Sequence, residues 1–326
     1  TLPVPDTRLS WLDRLRGRPR SRTALAAALP VGWVTVLLFI PYLMLLIYSL
    51  RTLTPAGNLI QCRGLDCAWT LANYQRLFGT SLYPATILYS AKIAFSVTAL
   101  SLFLAFPLAY LLAFKVKRHK NLMYMAVIIP LWVSYLVRAY AWKITLGQEG
   151  ILNGLLTQTG LIREPLEFLL YSKWAVIIAL THIYTPFTLM PIFAVLEAIP
   201  ASLREASQDL YASRIQTFFH VILPLSLPGV LAGSTFAFVL SMGDFLAPQL
   251  LGGPDSALMV SNVVVSLFGV AYNWPLGAAM SVVVLALVIV LLSLVNALER
   301  RFDYRGEPGH PAKTDALGAV VTEGRA

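Results

Sequence analysis

Asp244 is the first residue whose chemistry demands an explanation: a carboxylate at the end of an apolar run, Ser241-Met242-Gly243-Asp244-Phe245-Leu246-Ala247-Pro248. A charge in such a segment is costly unless complemented, so an intramembrane carboxylate is a functional candidate by default. Two roles are open to it. It can complement a cationic amine, or it can sit at the outer interface, capping a helix or pairing with Arg138. A second polar group, Thr181-His182-Ile183-Tyr184-Thr185-Pro186-Phe187, interrupts another apolar segment near the bilayer midplane. Side chains at that depth face a cavity or another helix. A lone His is commonly a packing residue, but Tyr184, Thr185 and the helix-interrupting Pro186 beside His182 give the lining of a pathway equal standing. Arg138 falls roughly 27 Å along its own segment at about 1.5 Å per residue, which predicts an outer-interface anchor in an aromatic belt more readily than a substrate contact.

Other chemistries find no support in the residues. The four His and two Cys lie in unrelated segments, so neither a convergent catalytic set nor a metal site is expected. Cys62 and Cys67 share one loop, where either a disulfide or two free thiols is allowed, while a metal site would lack ligands. No G-x-x-x-x-G-K-[ST] phosphate loop occurs, so ATP is not expected to be bound and hydrolysed by this chain through a Walker site. A secondary transporter or channel would call for an inverted repeat or a pore signature, and neither is legible.

The elements that must position these residues are membrane spans. With 57% hydrophobic and 13% charged residues, most of the 326-residue chain must be solvated by lipid. The formal charge of +9 has no aromatic-interleaved basic surface to suit nucleic acid and fits membrane topology instead. Six segments are long and apolar enough to cross, at about 24–50, 85–114, 121–146, 173–196, 228–247 and 275–298. Lys92, inside the second, can snorkel to the headgroups. The first apolar stretch is too long for a cleaved signal segment and is expected to be retained. Seventeen Lys and Arg fall in the two tails (1–23 and 299–326) and the even-numbered loops, against four in the opposite loops, which predicts that both termini and the 197–227 loop are cytoplasmic. The Arg-rich 1–23 tail suits either an anchor on anionic lipid headgroups or a disordered tail. Glu197 stands at the cytoplasmic end of span four.

Between spans four and five the residues Ser202–Pro224 form an amphipathic, non-spanning stretch. Ser202 with Glu205, and Ser213 with Gln216, are capping-box pairs that predict two helix starts and hence a helix-turn-helix. Leu203, Ala206 and Leu210 share one face of the first helix; Ile215, Phe218, Phe219 and Ile222 form a stripe on the second, which is expected to end near Pro224.

Glu205-Ala206-Ser207, Asp209-Leu210, Val221, Leu223 and Pro224 resemble the cytoplasmic coupling loop of binding-protein-dependent ABC importer permeases, whose pattern is E-A-A, three residues, G, nine residues, I-x-L-P. Ser207 stands where the pattern has Ala, Tyr211 where it has Gly, and Val221 where it has Ile. Of these Tyr211 matters most, because a Gly there permits positive φ without steric cost, whereas a Tyr must find a compatible turn or accept strain. Phe106-Pro107-Leu108-Ala109-Tyr110, the run Pro130–Trp142, Leu146-Gly147-Gln148-Glu149-Gly150, Tyr184-Thr185-Pro186-Phe187, and the G-D-F and L-L-G-G elements around Asp244 are similar to the spermidine/putrescine branch, with ferric-iron, thiamine, opine and sulfate permeases as more distant relatives. The resemblance implies an all-α membrane protein of six transmembrane helices in a bacterial inner membrane. It also implies an ATPase dimer carrying ATP and Mg that docks on the loop from Glu205 to Pro224, a second permease subunit, and an extracytoplasmic substrate-binding protein facing the loop around Gly147–Asn153. The chain itself is then expected to bind no cofactor.

Overall fold

The computed structural model describes residues 19–52, 69–166, 169–253 and 259–302, and within them every regular element is a helix. Cys62 and Cys67, most of the N-terminal tail and nearly all of the C-terminal tail lie outside the described residues. Five helices are long and apolar enough to cross a membrane, or six if one sharply bent pair counts as a single span. The chain divides into two compact units, residues 1–79 with 267–283, and residues 80–266 with 284–326.

In the first unit, α1 (Pro19–Ser49) is apolar on all sides and its described flank is exposed, Phe39 by 70%, so lipid or another subunit must be its solvent. The carbonyls that a helix end leaves open are closed by α2 (Ala72–Gly79): Asn73 Nδ2 donates to the Ser49 and Arg51 carbonyls at 2.9 and 2.6 Å, and the Tyr74 hydroxyl donates to Ser49 Oγ at 2.8 Å.

The second unit is built on α3 (Leu82–Phe114), α7 (Lys173–Ala198) and α10 (Leu223–Gly243), which pack on one another. Apolar burial cannot drive helices together in lipid, so close backbone approach must do so. Small side chains supply it. Ser101, Ala105 and Ala109 are fully buried at four-residue spacing on α3, and Ser101 Oγ donates to the Thr181 carbonyl of α7 at 3.4 Å. On α10, Gly229 and Gly233 face the α7 backbone so closely that a Cβ would lie 2.8 Å from the Pro191 carbonyl oxygen and 2.5 Å from that of Thr188. One apolar cluster centres on Leu180, Ile183 and Leu251; another centres on Leu112, Ile192 and Leu196. At the end of α7, Glu197 pairs with Lys120 at 2.7 Å, beside Tyr124 stacked on Phe193 at 4.5 Å.

Three expectations give way here. Span three is not one helix: α4 (Lys120–Ile128) passes into a 3-10 turn (Ile129–Trp132), Val133 and Ser134 are extended with ψ of 135° and 136°, and the part made of α5 (Tyr135–Leu146) and α6 (Ile151–Gln158) leaves at 91° to the first part. A length counted along one straight helix therefore does not locate Arg138. Ser202 caps nothing, because Pro200, with φ of −60° and ψ of 140°, already occupies the N-cap position of α8 (Ala201–Asp209), which puts Ser202 inside the helix. The helix after Ser213 does not end near Pro224. It runs from α9 (Arg214–Thr217) through a π-helical turn (Phe218–Ile222) into α10. Proline lacks an N–H, and in an α-helix its ring meets the carbonyl four residues back, here that of His220; the wider turn, in which the Leu223 amide reaches the Phe218 carbonyl, accommodates it.

Candidate functional site

The fifth span breaks at Asp244, so the segment expected to reach residue 247 is divided. Asp244 is extended, with φ of −73° and ψ of 127°, and a short helix, α11 (Leu246–Leu251), follows. Its carboxylate, 7% exposed, is saturated with donors. Oδ1 accepts from the amides of Leu246 and Ala247 at 3.0 and 3.1 Å, capping α11. Oδ2 accepts from the Tyr184 hydroxyl at 2.6 Å and from the Tyr135 hydroxyl. The Asp244 carbonyl accepts from Ser261 Oγ, at the start of α12 (Val260–Gly269). Two oxygens offer about four lone-pair sites, and all four are used. Charge-assisted bonds of this kind are about twice as strong as neutral ones, so the anion is held by oriented dipoles, with no ion pair among the described residues. One residue thereby joins α5, α7, the α10–α11 break and α12.

Arg138 is not the partner of Asp244. It lies one turn beyond Tyr135 on α5, its guanidinium carbon 5.9 Å from the Tyr135 ring centre, and its Nε and Nη1 are buried with no hydrogen-bond partner. The capping alternative for Asp244 is realised and the pairing alternative is not. Among the described residues the ion pair is Lys120–Glu197, and no three His, Cys, Asp or Glu side chains converge as a metal site would require.

The polar run of α7 divides between two cavities. His182 and Thr185 face a cavity of about 590 Å³ with Phe103, Trp142, Thr181 and Pro186 in its wall. There the Trp142 indole donates to His182 Nδ1 at 3.2 Å, Thr185 Oγ1 donates to the Thr181 carbonyl at 2.6 Å, and the Thr181 hydroxyl is buried without a partner. Tyr184 points elsewhere. Two residues advance an α-helix by about 200°, and Tyr184 lines a second cavity of about 370 Å³ with Tyr135, Asp244 and Phe245. Arg138 lines neither cavity.

The loop residues are built as follows. Glu205, Ala206 and Asp209 are exposed on α8, Leu210 and Tyr211 are 81% and 96% exposed, and Ser207 is buried. Leu223 and Pro224 are half-buried at the start of α10. Tyr211 takes the compatible turn: φ is 58°, its amide bonds to the Gln208 carbonyl at 2.9 Å and that of Ala212 to the Ser207 carbonyl at 3.1 Å. Those two bonds are a Schellman helix end, whose left-handed position is ordinarily Gly. The next helix opens on a complete capping box, with the Gln216 amide donating to Ser213 Oγ at 3.3 Å and the Ser213 amide to Gln216 Oε1 at 2.8 Å.

Sequence reasoning did not single out Tyr135, which no adjacent residue marks as a partner of Asp244. It also passed over Gly229-Val230-Leu231-Ala232-Gly233, a G-x-x-x-G spacing that announces close helix approach in lipid.

Comparison with known proteins agrees with this architecture. Residues 101–304 match the family described as binding-protein-dependent transport system inner membrane component. Over 242 residues the chain is 38% identical to the inner membrane ABC transporter permease protein YdcU of Escherichia coli (strain K12), covering 70% of this chain and 76% of that one. Over 265 residues it is 36% identical to the spermidine/putrescine transport system permease protein PotB of the same organism, covering 81% and 93%. A crystal structure of a bacterial alginate ABC transporter, in complex with an alginate pentasaccharide-bound periplasmic protein, shares the fold with a TM-score of 0.67 at 21% identity, covering 92% of this chain and 100% of the matched one. The chain belongs to the family of binding-protein-dependent transport system inner membrane components, as a multi-pass ABC importer permease subunit.

Proposed function

We propose that this permease subunit carries polyamine-like cations of the putrescine and spermidine class. It works with a second permease subunit, an ATPase dimer that holds ATP and Mg, and an extracytoplasmic binding protein that delivers the substrate. The observation that carries the substrate class is Asp244: a buried carboxylate at the wall of a cavity, held by hydroxyls and amides and, among the described residues, in no ion pair. Hydroxyl donors can rotate away, so an alkylammonium can take their place on Oδ2 without dismantling a salt bridge. Similarity to a spermidine/putrescine permease over 81% of the chain supports the same class.

Both termini and the 202–224 loop lie in the cytoplasm in this reading, supported by the seventeen-to-four distribution of Lys and Arg. ATPase closure then moves Glu205 to Tyr211 and, through Leu223 and Pro224, the base of α10, while the cavities beside His182, Thr185, Tyr184 and Asp244 line the solute path. Arg138, aligned with neither cavity, serves as a structural anchor.

The test is isolation of the tagged chain from native membranes, followed by reconstitution in proteoliposomes. An ATPase that co-isolates and ATP-dependent uptake of labelled spermidine, competed by putrescine and not by sulfate or thiamine, are expected. Absence of an ATPase would remove the importer assembly. Competition by sulfate or thiamine alone would remove the substrate class.

A further inference from the structure

The two helices of the 202–224 loop are fastened together by a bond that the family pattern does not provide for. Ser207, standing where that pattern has Ala, is 8% exposed; its Oγ donates to the Arg204 carbonyl at 2.7 Å and lies 2.9 Å from Thr217 Oγ1. A serine hydroxyl has one proton, and here it goes to the carbonyl, so Thr217 supplies the proton of the second bond. Thr217, 6% exposed, is the last α-helical residue before the π turn. Around this tie α8 and the π turn also grip α3: the Arg204 guanidinium carbon sits 4.5 Å from the Phe114 ring centre, and Phe218 meets Phe106 and Tyr110 edge-on at 5.9 and 6.0 Å. The four residues between the helices, 210–213, offer no comparable side-chain tie across the turn. The Ser213–Gln216 capping box acts wholly within α9.

We propose that Ser207 and Thr217 are positioning residues for energy coupling. Their bond makes α8 and α9 turn as one body, so that a displacement of α8 reaches α10 through the π turn and is not absorbed in the 210–213 turn. The proposal rests on the reading above, in which an ATPase acts on α8. The π turn is the natural place for the motion to enter α10, because a π-helical register accommodates a small slip that a regular α-helix resists.

Ser207→Ala, Thr217→Val and the double variant are compared with Ser207→Thr in the complete importer complex, reading ATP hydrolysis and substrate uptake separately. Each single variant is expected to lower the uptake obtained per ATP hydrolysed by about twofold to tenfold, the factor of one buried hydrogen bond. The double variant is expected to fall no further than either single, since both remove the same bond, and Ser207→Thr is expected to restore the ratio. Amide exchange of residues 213–217, measured on the isolated chain in lipid nanodiscs, is expected to quicken in Ser207→Ala by a similar factor. An unchanged uptake-to-ATP ratio, additive single effects, or unchanged amide exchange would each overturn the proposal. A complex of unmodified chains that shows no ATP-dependent uptake would overturn the importer reading and the coupling role with it, while the exchange measurement would still report whether the tie exists.

Discussion

Replacing Asp244 by Asn separates the two jobs this carboxylate can do. The side chain keeps its shape, so the Leu246 and Ala247 amides retain an acceptor in Oδ1. On the other side an NH2 group now faces the Tyr135 and Tyr184 hydroxyls, which must reverse to accept from it. Bonds to a charged group contribute about 1.5–3 kcal/mol and neutral ones about 0.5–1.5, so four bonds that lose their charge assistance cost roughly 4 kcal/mol of stability. Tyr184→Phe costs about 2 kcal/mol by removing one donor while leaving the charge. The two variants diverge in transport. A cation bound at the carboxylate loses its charge partner in Asp244→Asn, at roughly 2 kcal/mol or more; at 1.4 kcal/mol per decade the half-saturating substrate concentration rises about 30-fold. In Tyr184→Phe a lone pair is freed, so affinity is unchanged or higher. The assay is ATP-dependent uptake of labelled spermidine into proteoliposomes holding the complete complex, beside thermal unfolding of the same preparations. If Asp244→Asn and Tyr184→Phe raise the half-saturating concentration equally, or Asp244→Asn leaves it unchanged, the carboxylate is a structural junction and not a substrate group.

Two further predictions concern backbone geometry. Gly233→Ala places a methyl 2.5 Å from the Thr188 carbonyl, so α10 must move off α7 at a cost of about 1–3 kcal/mol, whereas Gly243→Ala meets nothing within 4 Å and is the control; equal unfolding temperatures for the two would show that the helices are not in close approach. Tyr211→Gly relieves a left-handed conformation that costs an L-residue roughly 1–2 kcal/mol, against some added freedom in the unfolded chain. The unfolding temperature is expected to hold or rise, and a fall would mean that the ring has a packing partner; preserved coupling of ATP hydrolysis to uptake would show that the ring is dispensable to docking.

How far the site is legible in the residues depends on how local its causes are. The Ser213–Gln216 cap and the turn at Tyr211 are settled by a few adjacent residues, and reading them from sequence identifies both the turn and the strained position. Asp244 is equally conspicuous, since an acid in an apolar run has few explanations. Its hydroxyl partners are not legible, because Tyr135 and Tyr184 reach it from elements 109 and 60 residues away. Ser202 shows the converse failure. Its spacing to Glu205 satisfies a local rule, but Pro200 has already ended the preceding turn and taken the cap position. The bend in span three escapes hydropathy altogether: Val133 and Ser134 interrupt the helix without interrupting the apolar run, and apolarity is what defines a span on paper.

Pro224 joins these failures to the function. Read locally, a proline ends a helix; here the chain runs on through it into α10. Continuing through a π turn keeps the backbone bonded and leaves one weak register at the junction between the loop and α10. The same residue that by local rules should end the second loop helix thus supplies the compliant point in an otherwise continuous path from α8 to the fifth span. Ser207 and Thr217 lie immediately before that point, and Gly229 and Gly233 lock α10 to α7 immediately after it. A rigid body on each side of one deformable turn is the arrangement needed to convert displacement of a surface helix into motion of a buried one.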